Sequence, residues 1–356
     1  MHDESQHLAQ QDLAFLQAVI DATADKMAWI SDSVRQSIRK QEDVQLPTRY
    51  DSPLQFRILE GLVSKVKSAA RDLGLSTEEF PHFACIPTGR VNASAVSLPG
   101  SSRPFLLFDS QLFLYCHLFA KTFARCLPIL GREGMLSFST ELPEVKRRLE
   151  SAPDIVEHLE DLLAAYTSTG APSNSKPYPL ESDYLQLVTI LREGMELFVV
   201  AHEIGHVYAG HLSDLLKGLG LNAVSSEAWS SSHRQEHEAD ILGLALTLRA
   251  SGYDAALAYV GVELFFVSLD MADRYAYAAR QGNDDLFQTS PSSTHPSNED
   301  RREALRIALV QFVSPIEQAE SAKAMASNYE AIAKHLWAAL KTANPSFKRT
   351  GLRPAA

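Results

Sequence analysis

The 356-residue sequence predicts an α+β fold that is mostly helical, with one small sheet. Three observations carry that expectation. Long stretches repeat apolar residues at three- and four-residue steps, the period of an amphipathic helix. One stretch, 82–110, instead shows short apolar runs bounded by turn residues, the mark of strands. The composition is 45% apolar and 22% charged, with mean hydropathy −0.12, which suits a globular chain and not a disordered or fibrous one.

The elements follow in order. Leu13, Leu16, Ile20, Met27, Ile30, Val34 and Ile38 mark a helix over 8–40, and a second is expected over 53–73, stopped by Gly74. Residues 85–89 read as a turn. Residues 91–98 alternate small polar and apolar side chains, 99–102 turn, and 105–108 form a short apolar run, giving two strands joined by a loop. A helix is expected over 112–126, ending before Pro128, and an exposed loop over 167–179. Further helices are expected over 183–216, 232–250 and 253–279. A polar loop at 281–298 then leads to a C-terminal helix over 299–342 and a disordered tail. At about 150 residues per domain, the length allows one large domain or two modest ones. The reading adopted is a helical N-terminal region 1–80, a central domain 81–312, a C-terminal helix 313–342 and a tail 343–356.

Charge and cysteine content narrow the function. The chain has 33 Lys and Arg against 44 Asp and Glu, a net charge of −11, and no long basic run, so no nucleic-acid partner is expected. Cys85, Cys116 and Cys126 are too few and too irregularly spaced for a disulfide framework or a thiolate metal site, and they fit a reducing interior. The first residues are acidic and polar, with no signal-peptide pattern. The longest apolar runs, 255–269 (interrupted by Glu263) and 197–201, fall short of the roughly 20 residues that span a bilayer. A cytoplasmic protein without stable membrane insertion is expected.

The informative stretch is Phe198-Val199-Val200-Ala201-His202-Glu203-Ile204-Gly205-His206. Histidines at i and i+4 project from one side of a helix and can reach one cation. Zinc takes N, O or S donors in a tetrahedron and keeps one position open when it is catalytic. A glutamate directly after the first histidine can then accept a proton from the water that the metal activates. With 12 histidines in 356 residues, a chance His-Glu-x-x-His has a probability of roughly three in a hundred. Four apolar residues precede this one, so its helix is expected to be buried, where two histidines and a glutamate without partners would cost several kcal/mol.

A third ligand is needed, and two candidates compete. On a continuing helix His211 would point more than about 100° away from His202 and His206, which favours a capping or packing role. The other candidate lies in Glu236-His237-Glu238-Ala239-Asp240, on a helix expected to start at Ser232 with a Ser232–Gln235 capping box. Its spacing lets Glu236 ligate the metal while Asp240 holds a ligating histidine through the second ring nitrogen. The competing reading is a solvated acidic face. Glu238, about 200° around the helix from Glu236, should face solvent, and His237 should be peripheral.

With these residues in place the sequence resembles the gluzincin peptidases that include the heat-shock protease HtpX and the CAAX prenyl endoproteases. The resemblance rests on four motifs in order. They are the Asn92-Ala93 strand with its 105–108 partner, His202-Glu203-x-x-His206, Glu236-x-x-Ala239-Asp240, and Thr294-His295-Pro296 followed by Arg301 and Arg302. It implies a zincin-type (mini-gluzincin) core with helical N- and C-terminal extensions. It also implies a zinc endopeptidase with one Zn²⁺ per chain, held by His202, His206 and Glu236. Glu203 would be the general base, and His295 would be a catalytic donor to the tetrahedral intermediate. The strand edge at Ala93, Ser94 and Ala95 would pair with an extended protein or peptide substrate. Arg301 or Arg302 would either pair with a carboxylate of the site or belong to a solvated helix start. Membrane members of that family carry transmembrane helices, so this chain reads as a membrane-helix-free variant. Two other readings stand beside it: a non-catalytic regulatory or binding protein with a structural metal, and a metal hydrolase of non-peptide amides.

Overall fold

The computed structural model describes residues 53–90, 92–97, 101, 103–132, 135–210, 213–214, 226–282, 284, 287 and 296–344. The helix expected over 8–40 and the tail beyond 344 lie outside the described residues. The elements run α1 (Pro53–Asp72), β1 (His82–Ile86), β2 (Ala93–Ser97), β3 (Phe105–Asp109), α2 (Leu112–Arg125), β4 (Ile129–Arg132) and β5 (Met135–Phe138). Then come α3 (Leu142–Ser151), α4 (Asp154–Thr169), α5 (Leu185–Tyr208), β6 (Ser213–Asp214), α6 (Ser226–Ala250), α7 (Ala255–Gln281), α8 (Asn298–Phe312) and α9 (Ile316–Ala343). The described chain is mostly helical with little sheet, as the sequence predicts. It divides into two compact units, Met1–Phe113 with Val199–Ala250, and Leu114–Phe198 with Ser251–Ala356.

The first unit holds a four-stranded mixed sheet of order β1-β3-β2-β6. β3 pairs parallel with β1 and antiparallel with β2, and β6 pairs with β2 at Val96 and Ser97. Two of these strands, β1 and β6, are additions to the pair expected. Cys85 and Ile86, expected in a turn, close β1 instead. The run from His82 to Cys85 is fully buried, and tertiary burial overrides the turn signal of Pro87 and Gly89. The turn that follows is tied by Asp109, whose carboxylate accepts from Thr88 N (2.7 Å), Thr88 Oγ1 (2.6 Å) and Gly89 N (3.0 Å). Leu59, Leu62, Val63, Val66, Ala69 and Ala70 recur at three- and four-residue steps and form the buried stripe of α1. This helix packs on α6, with Arg249 2.8 Å from Asp72.

Three helix boundaries differ from expectation in ways that bear on the site. α5 ends at Tyr208 and not near 216, because Gly210 adopts φ +73°, the left-handed conformation that closes helices. α6 begins at Ser226, so Ser232 lies inside the helix and not at its start, since a serine run lowers helix propensity by only tenths of a kcal/mol per residue. The expected helix over 299–342 is two helices, because Pro315 lacks the N–H that would continue α8 and Val313 is extended.

In the second unit α7 packs against α4, α8 and α9. A hairpin (β4–β5) and the helices α3 and α4 occupy a stretch the sequence left unassigned, and the last turn of α4 lies inside the expected 167–179 loop. α7 is longer than its apolar run suggested. By length and composition alone it could cross a membrane, yet 67% of its most apolar window is buried. Cys85, Cys116 and Cys126 are buried free thiols, which suits their reading as small apolar residues.

Candidate metal centre

The end of α5 carries His202, Glu203 and His206, and the middle of α6 carries Glu236 and Asp240. All five belong to the first unit. His202, Glu203, Glu236 and Asp240 are buried, which removes the solvated acidic face as an account of Glu236 and Asp240. Their spacing places donors from two helices around one point. His202 Nε2 is 3.2 Å from His206 Nε2, within hydrogen-bonding range if one carries a proton. The same atoms lie 3.5 Å from Glu236 Oε2 and 3.5 Å from Glu236 Oε1 respectively.

Whether these residues fit a metal can be judged from those distances. Zinc bonds of about 2.0–2.2 Å at tetrahedral angles put neighbouring donor atoms about 3.3–3.5 Å apart. The ring nitrogens are 3.2 Å apart and each lies 3.5 Å from a different oxygen of Glu236, separations close to that spacing. The three donor atoms form a group that could hold a metal ion. Among the described residues they are three protein donors, one fewer than the four of a closed structural zinc site.

Asp240 does what its spacing suggests. Its Oδ1 lies 2.9 Å from His202 Nδ1 and turns Nε2 of that ring toward Glu236. Burial disfavours a charged His202. Hydrogen bonds and charge from Asp240 and Glu236 outweigh it and push the His202 pKa up to about 10. The two carboxylates that hold that proton would also offset the charge of a divalent ion in its place.

Comparison with protein-family models, curated proteins and solved structures finds no match. The site therefore rests on its own geometry.

The other candidate residues that the structure describes are not among these three donors. Glu238 is exposed and lies 3.5 Å from Arg234, as its helical phase requires. His237 is half-buried and is not one of the three donors. His211 and His295 lie outside the described residues, and the angular argument for His211 lapses because α5 stops at Tyr208. Arg301 and Arg302 are buried, so a solvated helix start is excluded. Arg301 lies over the Phe266 ring at 4.8 Å, and Arg302 pairs with Glu263, Asp270 and Glu330, all within the second unit. Ala93 and Ser94 are half-buried on β2, beyond the two positions that β6 pairs, and Ala95 is buried.

The sequence pointed to the candidate donors but not to the residues that let their helices meet. Gly205 lies against Ala239 and Gly243 against the backbone of His202, with no side chain between. A signal was present: a glycine inside an otherwise regular helix costs about 1 kcal/mol relative to alanine and calls for a packing reason.

Proposed function

We propose that the chain is a zinc-dependent endopeptidase acting on protein or peptide substrates in the cytoplasm, with one zinc ion per chain. The carrying observation is that His202, His206 and Glu236 offer donor atoms within 4.8 Å of one another, and that Glu203, which follows His202 in the helix, is buried. A zinc ion held there would supply Lewis-acid polarisation of the scissile carbonyl and acidify a water molecule. Glu203 then accepts a proton from the attacking water and delivers it to the departing amine. Asp240 keeps the His202 ring oriented, and burial of the cluster excludes competing solvent. The backbone of Ala93, Ser94 and Ala95 pairs with an extended substrate, and the ordered-motif resemblance assigns His295 as a second donor to the carbonyl oxygen.

Glu203 also separates this reading from a structural metal, which has no use for a base beside an open position. The test is Glu203→Gln in the full chain, with zinc content and cleavage of a casein-type protein substrate both measured. Zinc should stay at one per chain while cleavage falls about 10²- to 10⁴-fold. Cleavage at the wild-type rate would remove Glu203 from the chemistry, and a wild-type protein that takes up no zinc would remove the metal.

A further inference from the structure

The proposed metal donors come from two helices, and the two kinds of edge in their cluster have different origins. The His202–His206 edge is set within α5 by the i, i+4 spacing. The two edges to Glu236 are set by how closely α5 and α6 approach. At that crossing a Cβ on Gly205 would lie 2.6 Å from the carbonyl oxygen of Ala239 and 3.1 Å from its Cα. A Cβ on Gly243 would lie 3.0 Å from both the N and the Cα of His202. In both cases the obstructing atoms are backbone, so no side-chain rotation relieves the overlap. Only a shift of one helix against the other does.

We infer that Gly205 and Gly243 are positioning residues of the metal centre, holding the backbones of α5 and α6 together so that Glu236 reaches the two histidines. This rests on the reading of His202, His206 and Glu236 as ligands. Glu236, Ala239, Asp240 and Gly243 fall at steps of three and four along α6, so ligand, spacer, histidine-holder and spacer share one stripe. Restoring ordinary contact at 3.4 Å would move Gly205 and Ala239 apart by about 0.8 Å. Metal–ligand distances tolerate only about ±0.2 Å. The Gly205 position therefore acts chiefly on Glu236. Gly243 acts on His202 itself, whose backbone it touches, and its smaller overlap asks for a shift of a few tenths of an ångström.

The experiment titrates Zn²⁺ and Co²⁺ into full-length wild type, Gly205→Ala, Gly243→Ala and Gly61→Ala, following the visible absorption of Co²⁺ as a reading of coordination geometry. Gly61 lies in α1 with nothing within 4 Å of its Cβ position, so it controls for the same substitution in a helix without an overlap. Gly205→Ala should weaken zinc binding about 10- to 100-fold, the range for losing an outer-shell support, and should weaken the intense tetrahedral cobalt bands. Gly243→Ala should shift both readings the same way by less, and Gly61→Ala should shift neither. Far-UV circular dichroism of the metal-free proteins confirms folding; should Gly205→Ala not fold, the milder Gly243→Ala decides. Folded glycine variants with wild-type affinity and an unchanged cobalt spectrum would overturn the positioning role while leaving the metal centre intact. A wild type that binds no zinc would overturn both.

Discussion

Each unit of the molecule buries several carboxylates between helices, and the two clusters solve the problem of buried charge differently. In the second unit Glu263, almost wholly buried in α7, accepts from Arg302 (3.2 Å) and Arg306 of α8. Arg306 also binds Glu330 of α9 at 2.7 Å. Burial works against a charged Glu330. Bonds from Lys334 and Arg306, with Arg302 nearby, outweigh it and bring its pKa down to about 2. Guanidinium groups are permanent cations, so the counter-charge of that cluster is built into the chain, although burial still holds the Glu263 pKa above its ordinary value against both arginines. In the first unit Glu236 and Asp240 face two imidazoles, which can be neutral, and the donor atoms converge on a point. The contrast shows what separates a site from a structural network. Both hold buried charge, but one balances it with fixed cations and the other with ligands suited to an exchangeable one.

The sharpest way to break that contrast is to delete one charge from each cluster. Glu236→Ala should weaken zinc binding by more than about 100-fold, since losing an outer-shell partner alone costs 10- to 100-fold, and should abolish cleavage. Arg302→Met should instead destabilise the fold by about 3 kcal/mol, because it leaves Glu263 and Asp270 with less compensation in the interior. Zinc titration and denaturant unfolding of both variants check the pair. If Arg302→Met lost zinc at unchanged stability, or Glu236→Ala unfolded the protein at unchanged affinity, the two clusters would have exchanged roles.

What the sequence disclosed follows the same division. The grouping of His202 with His206 and of Glu236 with Asp240 was legible because each pair lies within one helix, where spacing fixes the face. The partners of Arg302 were not, because Glu263 lies 39 residues away on another helix and no local pattern encodes that meeting. Gly205 and Gly243 were overlooked because they contribute by lacking atoms, which shows only when a second backbone is beside them. β1 was missed for a related reason, its five residues being strand by virtue of pairing with β3 while Pro87 and Gly89 signal a turn. The amphipathic helices α1, α2 and α7 were legible to within a few residues because periodicity is local.

A third buried carboxylate sharpens the comparison through pH. Glu196, in the part of α5 that belongs to the second unit, has Arg192 at 3.6 Å as its ion-pair partner among the described residues, with the Glu193 charge and the Cys116 thiol also near. Burial pushes its pKa up to about 8 against Arg192, which lowers it. In the unfolded chain the same carboxyl titrates near 4.5. Between those values the folded state keeps a proton that the unfolded state releases, so stability falls as pH rises from about 4.5 to about 8 and then levels. Glu330 has the opposite sign, its contribution being full above 4.5 and lost as pH falls toward 2. Glu196→Gln should therefore flatten the alkaline slope and exceed the wild type at pH 9 by a few kcal/mol in denaturant unfolding. A slope as steep as the wild type's would show that Glu196 is charged and compensated, like Glu330.

The smallest effect concerns how the arginine network is held. Ser297 caps α8: its Oγ accepts from Asp300 N at 3.1 Å and donates to the Asp300 carboxylate at 2.6 Å. The next residue, Asn298, donates to Asp270 at 2.9 Å, and Arg301 and Arg302 follow within the same turn. Ser297→Ala removes the cap and leaves the Asp300 N–H without its acceptor, at a cost of about 1 kcal/mol. In a chain of this size that lowers the melting temperature by about 2 °C. Because the network beyond the cap is built on permanent charges in the second unit, zinc affinity should not move. A calorimetric melt and a zinc titration on the same preparation decide it. A loss of zinc without a loss of melting temperature would tie the arginine helix to the metal centre and undo the separation of the two clusters.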